Sequence, residues 1–490
     1  MVQAHNTDFQ PPGVVIPYRP EWDMGSTACF TTSGYCKNPL PMRIAASLVL
    51  CLMNLLQYPQ QAGAAGLMAG AAKVEITPPV GHQLGGQASR AGPSTGILDP
   101  LFARILVLKS ADTSLAVVVL DLGRTFGQTQ MDQIRSRVKA TSGIQHVIFS
   151  ATHTHTGPTL LDAEYIEPGM DRWEFRCLNS IVEAISQADR SAIPCRISAG
   201  KGTSYMGHNR QDPVGTRHLG ANETAVATMP MDPTVQVVRF DSPAGKPVAV
   251  LANYAAHPVV VGMEDLTKYS ADFPGAMCAH VERELGGQFV SIFLQGACGD
   301  INPIFLRAGA REVRRLGEEL GREVVKVARE TRHKPPHADT LQVVEERIRF
   351  RSRWNIEKLK SLQAVPTYHQ WLSTGRPIGY PAEEIETHVT TVLIGGQVAL
   401  LTMPGEPYVE FQSSFRSRLP GLDTLLAGYS NGYFGYLPTI RAAARDGVVY
   451  GGNAWPTILE AGAGERMVDR GIINIYRMLG RLKTHPQEVQ

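Results

Sequence analysis

Apolar runs that fit buried strands alternate with polar stretches of helical periodicity along most of the chain. Between residues 72 and 151, runs rich in Val, Ile and Leu predict four strands. A helical pattern over residues 129–141 separates the last two strands, and a second follows at residues 172–189. The four strand runs are AKVEIT, ARILVL, LAVVVLDL and HVIFSA, and VQVVRF, VAVLANYA and FVSIFLQG continue the strands beyond the second helix.

The same alternation continues towards the carboxyl end. ADFPGAMCAHVEREL predicts a helix with Asp272 as its cap and Pro274 in its first turn. Residues 311–331 carry Glu and Arg at helical spacing, which indicates a solvated helix face, and a helical tail covers residues 467–482. LQVVEERIRF, HVTTVLIGG and VALLTMPG predict further strands. This order predicts an α/β (α+β) fold, a layered body in which helices flank a mixed β-sheet.

The composition is that of a globular protein and narrows the classes of partner. The chain has 490 residues, of which 43% are hydrophobic and 19% are charged, and its net charge is +2. No run of Lys and Arg stands out, so a nucleic-acid partner is disfavoured. No segment reaches the roughly 18 consecutive apolar residues of a membrane span. The sequence leaves the oligomeric state open.

The first 65 residues differ from the rest. Residues 1–41 contain several prolines and no clear periodicity, which predicts a disordered N-terminal extension or a start codon assigned too early. Residues 42–65 have a basic start, an apolar centre and a small-residue exit, a pattern typical of a signal peptide. The alternative is a buried helix. A signal peptide predicts a secreted or periplasmic protein whose single domain covers residues 66–490, with a subdomain seam near residue 335.

Four cysteines follow the predicted signal peptide. An even number of cysteines permits disulfides in an exported protein, although their connectivity cannot be deduced from the sequence. Their spacing contains no C-x-x-C pair, so a cysteine zinc site is disfavoured. The four are Cys177, Cys195, Cys278 and Cys298.

Two histidines follow a strand in IFSATHTHTGP. His153 and His155 stand just beyond HVIFSA, and alternate residues of an extended chain point to the same side. Loops at strand ends are where open α/β sheets bind ligands. The pair therefore predicts a metal or acid–base site, against the alternative of structural histidines. H-x-H occurs in several metallohydrolase folds and does not choose among them.

Two more predicted strands are followed by residues that can bind a metal ion. VLANYAAHPVVVG places His257 after an apolar run, and LTMPGEPYVEF places Glu406 at a turn after another. Imidazoles and a carboxylate from separate strand ends suit a zinc ion, which binds such ligands at about 2.0–2.2 Å. YSNGYFGYLPT adds three tyrosines in a Gly-containing loop, Tyr429, Tyr433 and Tyr436.

Other enzyme signatures are missing from the sequence. It contains no Walker loop and no Rossmann glycine fingerprint after a strand. The G-x-S-x-G spacing occurs in GPSTG and GYSNG, but neither leads into a helical pattern, so neither is a serine-hydrolase elbow. QGACGDINP is a small-residue turn that either lets the backbone approach a ligand closely or is simply a tight turn.

Several motifs in this order resemble the neutral/alkaline non-lysosomal ceramidase family. They are SATHTHTGP, NYAAHPVVVG, YSADFPG, GACGDINP and MPGEP, together with TGILDPLFARILVL and NRQDP. The resemblance extends from about residue 71 to the carboxyl end. It implies a zinc-dependent amidohydrolase that splits the N-acyl bond of ceramide by means of a metal-activated water.

The resemblance also implies a set of zinc ligands. By position they are His153, His257, Glu406 and Tyr436, with Tyr433 as a rival for the tyrosine because the spacing from Glu406 is shorter here.

The resemblance further implies catalytic residues. His155 matches the histidine that transfers protons, and Arg210 in HNRQDP matches a substrate-contacting arginine. Asn302 stands where the family has a serine. An amide cannot serve as a nucleophile, but it can donate a hydrogen bond to an oxyanion. Asp121 is either a partner of a ligating imidazole or a turn cap.

Three functions remain open at this point. The first is hydrolysis of a ceramide-like N-acyl lipid, with which a transient contact with a membrane surface is compatible. The second is a zinc hydrolase or lyase on the same scaffold that acts on a polar amide, an ester or a carbohydrate-derived small molecule. The third is a non-catalytic binding protein. Because the chain ends soon after the site residues, we also expect no C-terminal immunoglobulin-like domain.

Overall fold

A computed structural model describes residues 66–86, 92–160, 172–210, 230–333, 340–361, 382–444 and 457–482. The chain divides into two compact units, Met1–Gln61 and Ala62–Gln490, and every described residue belongs to the second. The predicted N-terminal extension, the signal peptide at residues 42–65 and the seam near residue 335 lie outside the described residues.

The strands and helices follow the predicted alternation. In chain order the strands are β1 (Met68–Glu75), β2 (Gly96–Ile97), β3 (Phe102–Lys109), β4 (Ser114–Leu120), β5 (His146–Ala151), β6 (Ile193–Pro194), β7 (Arg196–Thr203), β8 (Gly207–Asn209), β9 (Thr234–Asp241), β10 (Pro247–Tyr254), β11 (Lys268–Tyr269), β12 (Val290–Gln295), β13 (Ile301–Pro303), β14 (Leu341–Arg351), β15 (Glu384–Ile394), β16 (Val398–Thr402), β17 (Glu406–Pro407), β18 (Asp423–Ala427) and β19 (Tyr436–Leu437). The helices are α1 (Gln128–Ser142), α2 (Trp173–Arg190), α3 (Asp272–Leu285), α4 (Ala310–Glu330), α5 (Ile356–Ser361), α6 (Val409–Ser417), α7 (Ile440–Ala443) and α8 (Ala463–Met478), with a 3-10 turn at Met263–Asp265.

Three larger sheets carry the fold, and each is mixed. Their strand orders are β5-β4-β3-β1-β6, β12-β10-β9-β7 and β14-β15-β16-β18. Each sheet contains one parallel pair, β4 with β5, β10 with β12, and β16 with β18. The remaining pairings within these sheets are antiparallel. The predicted α/β class with mixed sheets is therefore confirmed.

Helices cover one side of each sheet, and the sheets pack on one another on the other side. One apolar cluster combines side chains from all three sheets, including Leu106, Leu294 and Leu400. Separate clusters join the first sheet to α1 and α2, the second to α3 and α4, and the third to α6 and α8. Strands such as β4 and β12 are buried at every residue, which explains their nearly continuous apolar sequences.

Short strand pairs connect loops at the strand ends. β2 pairs with β11 and β17 with β19, both in parallel, and β8 pairs with β13 in antiparallel register. The β17–β19 register sets Glu406 beside Tyr436, and the β8–β13 register sets Asn302 opposite His208. Pairs of two or three residues are too short to be predicted from a hydrophobic pattern.

The start of helix α3 differs from the prediction. Asp272 is the first helical residue rather than the cap, which is Ala271, and Asp272 has a φ of 54°. Its carboxylate accepts hydrogen bonds from the backbone N–H groups of Val260 and Val261 at 2.9 and 3.1 Å. The side chain is therefore engaged by the loop that follows His257 as well as by its own helix.

The four described cysteines are free thiols. Cys177, Cys278 and Cys298 are buried, whereas Cys195 is half-buried. The disulfides that the even count permits are not formed. No helix among the described residues is long and apolar enough to cross a membrane.

Candidate metal centre

The candidate site lies where the parallel strand pairs of the three sheets end. β5 leads to His153, β10 leads to His257, and β16 leads to Glu406. β12 leads into the GACGDINP turn, and β18 leads to Tyr429. The carboxyl ends of parallel strands are the ligand-binding edge of open α/β sheets, and here three sheets contribute such an edge to one place.

The two histidines of the H-x-H motif meet through a turn rather than through strand alternation. β5 ends at Ala151, and His153 has a φ of 67°, in the left-handed region that non-glycine residues rarely adopt. The His153 N–H donates to the carbonyl of Leu122 at 2.9 Å. The rings of His153 and His155 lie 4.6 Å apart, centroid to centroid. The predicted convergence is present, but a strained backbone at His153 produces it.

A backbone carbonyl holds one nitrogen of each histidine ring. A carbonyl oxygen can only accept a hydrogen bond, so each Nδ1 carries a proton, and in a neutral ring Nε2 then carries the lone pair. The Nδ1–oxygen distances are 2.5 Å for His153 to Gly123, 2.7 Å for His155 to Gly86 and 3.0 Å for His257 to Ile301. This is the arrangement that prepares Nε2 for a metal ion.

Gly86 is suited to its role by the absence of a side chain. Its φ is 88°, and a Cβ there would lie 3.0 Å from the Cα of His155 and 3.1 Å from its ring Cγ. A larger residue would therefore push the carbonyl away from the His155 ring.

The Nε2 atoms of the histidines lie close to one another and to the carboxylate of Glu406. The Nε2 atoms of His153 and His155 are 3.1 Å apart, and candidate ligand atoms of His153, His155 and His257 all lie within 4.8 Å of one another. Glu406 Oε2 is 3.1 Å from His257 Nε2 and 3.5 Å from His153 Nε2. Lone pairs this close repel unless a cation lies between them, so the donor set fits a metal ion.

The surroundings favour neutral imidazoles. Burial is the main cause that lowers the pKa of His257 to about 4, and the nearby Arg210 acts in the same direction. Burial also holds the pKa of His155 well below its usual value. Metal ligation requires unprotonated nitrogens, and both rings are neutral at neutral pH.

The tyrosines of the Tyr429–Tyr436 loop have different partners. The Tyr433 hydroxyl donates to Glu406 Oε1, and the Tyr429 hydroxyl lies 3.4 Å from Glu406 Oε2. The ring of Tyr436, in contrast, faces the guanidinium of Arg210, whose Cζ is 5.0 Å from the ring centroid. The rival candidate Tyr433 therefore contacts the carboxylate directly, whereas the first-choice tyrosine Tyr436 lies against Arg210.

Arg210 and Asn302 adjoin the cluster through the β8–β13 pair. The Arg210 N–H donates to the carbonyl of Asp300 at 2.8 Å, and the Arg210 Nη2 donates to the carbonyl of Gly299. Asn302 is half-buried and lies one residue beyond Ile301, the residue that orients His257. Arg210 therefore lies close enough to His257 to lower its pKa, and Asn302 follows the residue that orients His257.

Asp121 does not orient a histidine ring by its carboxylate. Its Oδ2 accepts from Arg104 Nη1 at 2.5 Å and from the backbone N–H of Phe102 at 3.0 Å. Backbone carbonyls, rather than Asp121, hold the Nδ1 atoms of the three imidazoles. The prediction that Asp121 is a partner of a ligating imidazole is therefore wrong, because its carboxylate forms an ion pair with the buried Arg104.

Sequence reasoning missed the residue that anchors the tyrosine loop. The side-chain Oδ1 of Asn431 accepts from the backbone N–H of Phe149 and from Arg135 Nη2, both at 3.0 Å. Asn431 has a φ of 57°. The Asn431-Gly432 dipeptide is a turn signal, and asparagine tolerates the left-handed region, so this signal was available in the sequence.

The first two sheets and most of the candidate site lie in a region that matches a known protein family. A family model described as neutral/alkaline non-lysosomal ceramidase, N-terminal, matches residues 67–323, which is more than half of the 490 residues. The chain belongs to the neutral/alkaline non-lysosomal ceramidase family. The matched region of this ceramidase-family protein contains His153, His155, Arg210, His257 and Asn302, whereas Glu406 and the tyrosine loop follow it.

Individual relatives agree with this assignment. Neutral ceramidase A from Dictyostelium discoideum is 25% identical over 201 residues, which cover 38% of this chain but only 26% of that protein. The solved structure of neutral ceramidase from Pseudomonas aeruginosa has a TM-score of 0.64 at 20% identity and covers 86% of this chain and 76% of that chain. A structure of ceramidase complexed with C2 has a TM-score of 0.65 at 18% identity, with the same coverage. The two structures share the fold described above.

Proposed function

We propose that this protein is a zinc-dependent hydrolase that cleaves the N-acyl amide bond of a ceramide-like lipid. The observation that carries this proposal is the convergence of three imidazole nitrogens within 4.8 Å, beside a buried carboxylate, in a chain of the ceramidase family. Zinc prefers neutral imidazole nitrogens and carboxylate oxygens in four-coordinate sites.

In this proposal His153, His257 and Glu406 hold the zinc ion. Tyr433 is a better candidate than Tyr436 for a fourth ligand, because its hydroxyl already contacts Glu406 whereas Tyr436 packs on Arg210. When bound, zinc supplies a Lewis acid that lowers the pKa of water and polarises a carbonyl.

His155 is the candidate for proton transfer. Its Nδ1 is held by the carbonyl of Gly86, and its Nε2 would take a proton from the attacking water and return it to the leaving amine. The ring is half-buried, in contrast to the fully enclosed His257. A substrate at the edge of the cluster would therefore reach His155 before the other rings.

Arg210 and Asn302 are the candidates for binding the scissile group. The Asn302 side-chain amide can donate a hydrogen bond to the oxyanion of a tetrahedral intermediate, although it cannot act as a nucleophile. Arg210 supplies a buried positive charge next to Tyr436.

One observation favours a second candidate function. The resemblance implies a serine at the position of Asn302, and with an amide there the same zinc site would also suit a polar amide or an ester rather than ceramide. A hydrolase of that kind would keep the metal ligands and His155, and only its substrate preference would differ.

A substrate panel with and without a chelator tests the proposal. Labelled ceramides, N-acyl amino acids and simple esters would be incubated with the purified protein, the chelator-treated protein and the zinc-restored protein. We expect ceramide cleavage that the chelator abolishes and zinc restores. Cleavage of esters or N-acyl amino acids alone would support the second candidate. Zinc-loaded protein inactive on all three classes would contradict both and favour a binding protein.

A secreted or periplasmic location is part of the proposal. It rests on the signal-like residues 42–65. The intact mass of protein recovered outside the cytoplasm would match a chain that starts near residue 65. A mass that includes residues 42–65 would contradict removal of a signal peptide.

A further inference from the structure

Tyr429 touches two of the proposed zinc ligands from a fully enclosed position. Its ring stacks on the ring of His153 with centroids 4.0 Å apart and an angle of 24° between the planes. Its hydroxyl lies 3.4 Å from Glu406 Oε2 and 3.0 Å from the Sγ of Cys298. Tyr429 and Cys298 are both 0% exposed, so neither can meet a substrate.

The chemistry of these groups fixes the direction of the hydrogen bonds. An ionised carboxylate can only accept, so the Tyr429 hydroxyl donates to Glu406. The hydroxyl oxygen is then the acceptor for the S–H group of Cys298. Burial raises the pKa of both Tyr429 and Cys298 well above their usual values, so both keep their protons at neutral pH.

The backbone holds Tyr429 in a conformation that it would not adopt by itself. Its φ is 53°, and its N–H donates to the carbonyl of Gly405, next to Glu406, at 2.8 Å. Its carbonyl accepts from the N–H of Ala151, the last residue of β5, at 3.1 Å. Asn431 adds a second link to β5 at Phe149. Tyr429 is thereby fastened to the two segments that carry Glu406 and His153.

We infer that Tyr429 is a positioning residue that sets the metal affinity of this site by aligning Glu406 and His153, with Cys298 supporting its hydroxyl. This inference rests on the proposed function, because it assumes that these two side chains bind zinc. Tyr429 differs from Tyr433, which approaches the other carboxylate oxygen and is itself a candidate ligand. Hydrogen-bond partners of metal ligands commonly change metal affinity by about 10–100-fold when they are removed.

Tyr429→Phe isolates the hydroxyl, because phenylalanine keeps the ring that stacks on His153. We expect it to weaken zinc binding about tenfold, measured by competition with a chelator of known affinity. Tyr269→Phe is the matched control. Tyr269 is also 0% exposed, and its hydroxyl lies 2.9 Å from Ser94 Oγ. Both variants lose a buried hydrogen bond and should lower the melting temperature of the metal-free protein similarly, but only Tyr429→Phe should change zinc affinity.

A pair of Cys298 variants tests the support of the hydroxyl. Serine keeps a donor at this position, whereas alanine removes it. We expect Cys298→Ser to retain the zinc affinity of the unaltered protein and Cys298→Ala to weaken it, by less than Tyr429→Phe does. This pair also carries the test if Tyr429→Phe does not fold, and equal zinc affinities of the two Cys298 variants would then overturn the inference.

The outcomes separate the inference from the proposed function. If the unaltered protein binds no zinc, the proposed function fails, and the inference with it. If the unaltered protein binds one zinc ion per chain and Tyr429→Phe binds it equally tightly, the inference is overturned while the proposed function stands. A loss of affinity in Tyr429→Phe that Tyr269→Phe does not share supports both.

Discussion

The two halves of the candidate metal centre are held in different ways. The imidazole half is oriented by the main chain, since the carbonyls of Gly86, Gly123 and Ile301 fix the three rings. The carboxylate half is oriented by side chains, since both oxygens of Glu406 face tyrosine hydroxyls. Main-chain partners persist as long as the fold does, whereas side-chain partners can be removed by one substitution. The orientation of the carboxylate is therefore the adjustable part of the site.

Removal of a proposed zinc ligand should have the largest effect on zinc content and turnover. It tests whether both halves of the site bind the same ion. We expect His153→Ala and Glu406→Ala to lose the bound zinc, and turnover to fall about a thousandfold or more, because a Lewis acid supplies several kcal/mol to such a reaction. Elemental analysis of the purified variants gives the metal content. One zinc ion per chain in both variants would defeat the ligand assignment.

His155 should separate metal binding from turnover. We expect His155→Ala to keep its zinc ion, because His153, His257 and Glu406 remain, and to lose about 10²–10⁴-fold in kcat through the missing proton transfer. Metal content and steady-state rates on one preparation provide the measurement. Unchanged turnover would remove His155 from the reaction, and lost zinc would make it a ligand.

The two tyrosines near the carboxylate half give a smaller effect that sharpens the comparison. Tyr433→Phe should weaken zinc binding about 10–100-fold, because its hydroxyl contacts Glu406. Tyr436→Phe should leave zinc affinity nearly unchanged and act on substrate binding through Arg210. Chelator competition and KM values distinguish them. The reverse ranking of zinc affinities would restore Tyr436 as the ligand.

The smallest effect concerns stability away from the ligands. Burial raises the pKa of Asp272 to about 7, and that of the neighbouring Asp99 to about 6. A raised carboxyl pKa contributes stability that is complete below the unfolded value of about 4 and is lost as the pH rises through the folded value. These two carboxyls should therefore lower the melting temperature of the metal-free protein between about pH 4 and pH 7, in opposition to His155 and His257, whose lowered pKa values raise its stability over the same range.

Asp272→Asn should remove the Asp272 part of this decrease, because an amide does not titrate. Asp265→Asn is the matched control, since the Asp265 carboxylate accepts from Lys268 Nζ at 2.7 Å. An equal slope in the unaltered protein and Asp272→Asn would rule out Asp272 as its source.

The strand-end histidines and the glutamate could be predicted because each follows an apolar run that is easy to recognise. β5 coincides with the predicted HVIFSA segment, and His257 and Glu406 also follow predicted strands. Fold class was similarly accessible, since strands that are buried on both faces have continuous apolar sequences.

The partners of these residues could not be predicted, because contacts between distant segments decide them. The left-handed backbone of His153 and the pairing of Cys298 with Tyr429 depend on how three sheets meet. The choice between Tyr433 and Tyr436 depends on which face of a short loop turns towards Glu406. The sequence allows Asp121 to be either a partner of a ligating imidazole or a turn cap, and only the structure shows that it pairs with the buried Arg104. Sequence spacing carries none of this information.

Anomalous scattering at the zinc absorption edge, recorded from crystals of the zinc-loaded protein, tests the central claim most directly. We predict one strong peak bonded to the Nε2 atoms of His153 and His257 and to a carboxylate oxygen of Glu406, at about 2.0–2.2 Å from each. A peak bonded to other residues, or zinc-loaded crystals with no peak between these three side chains, would contradict the account.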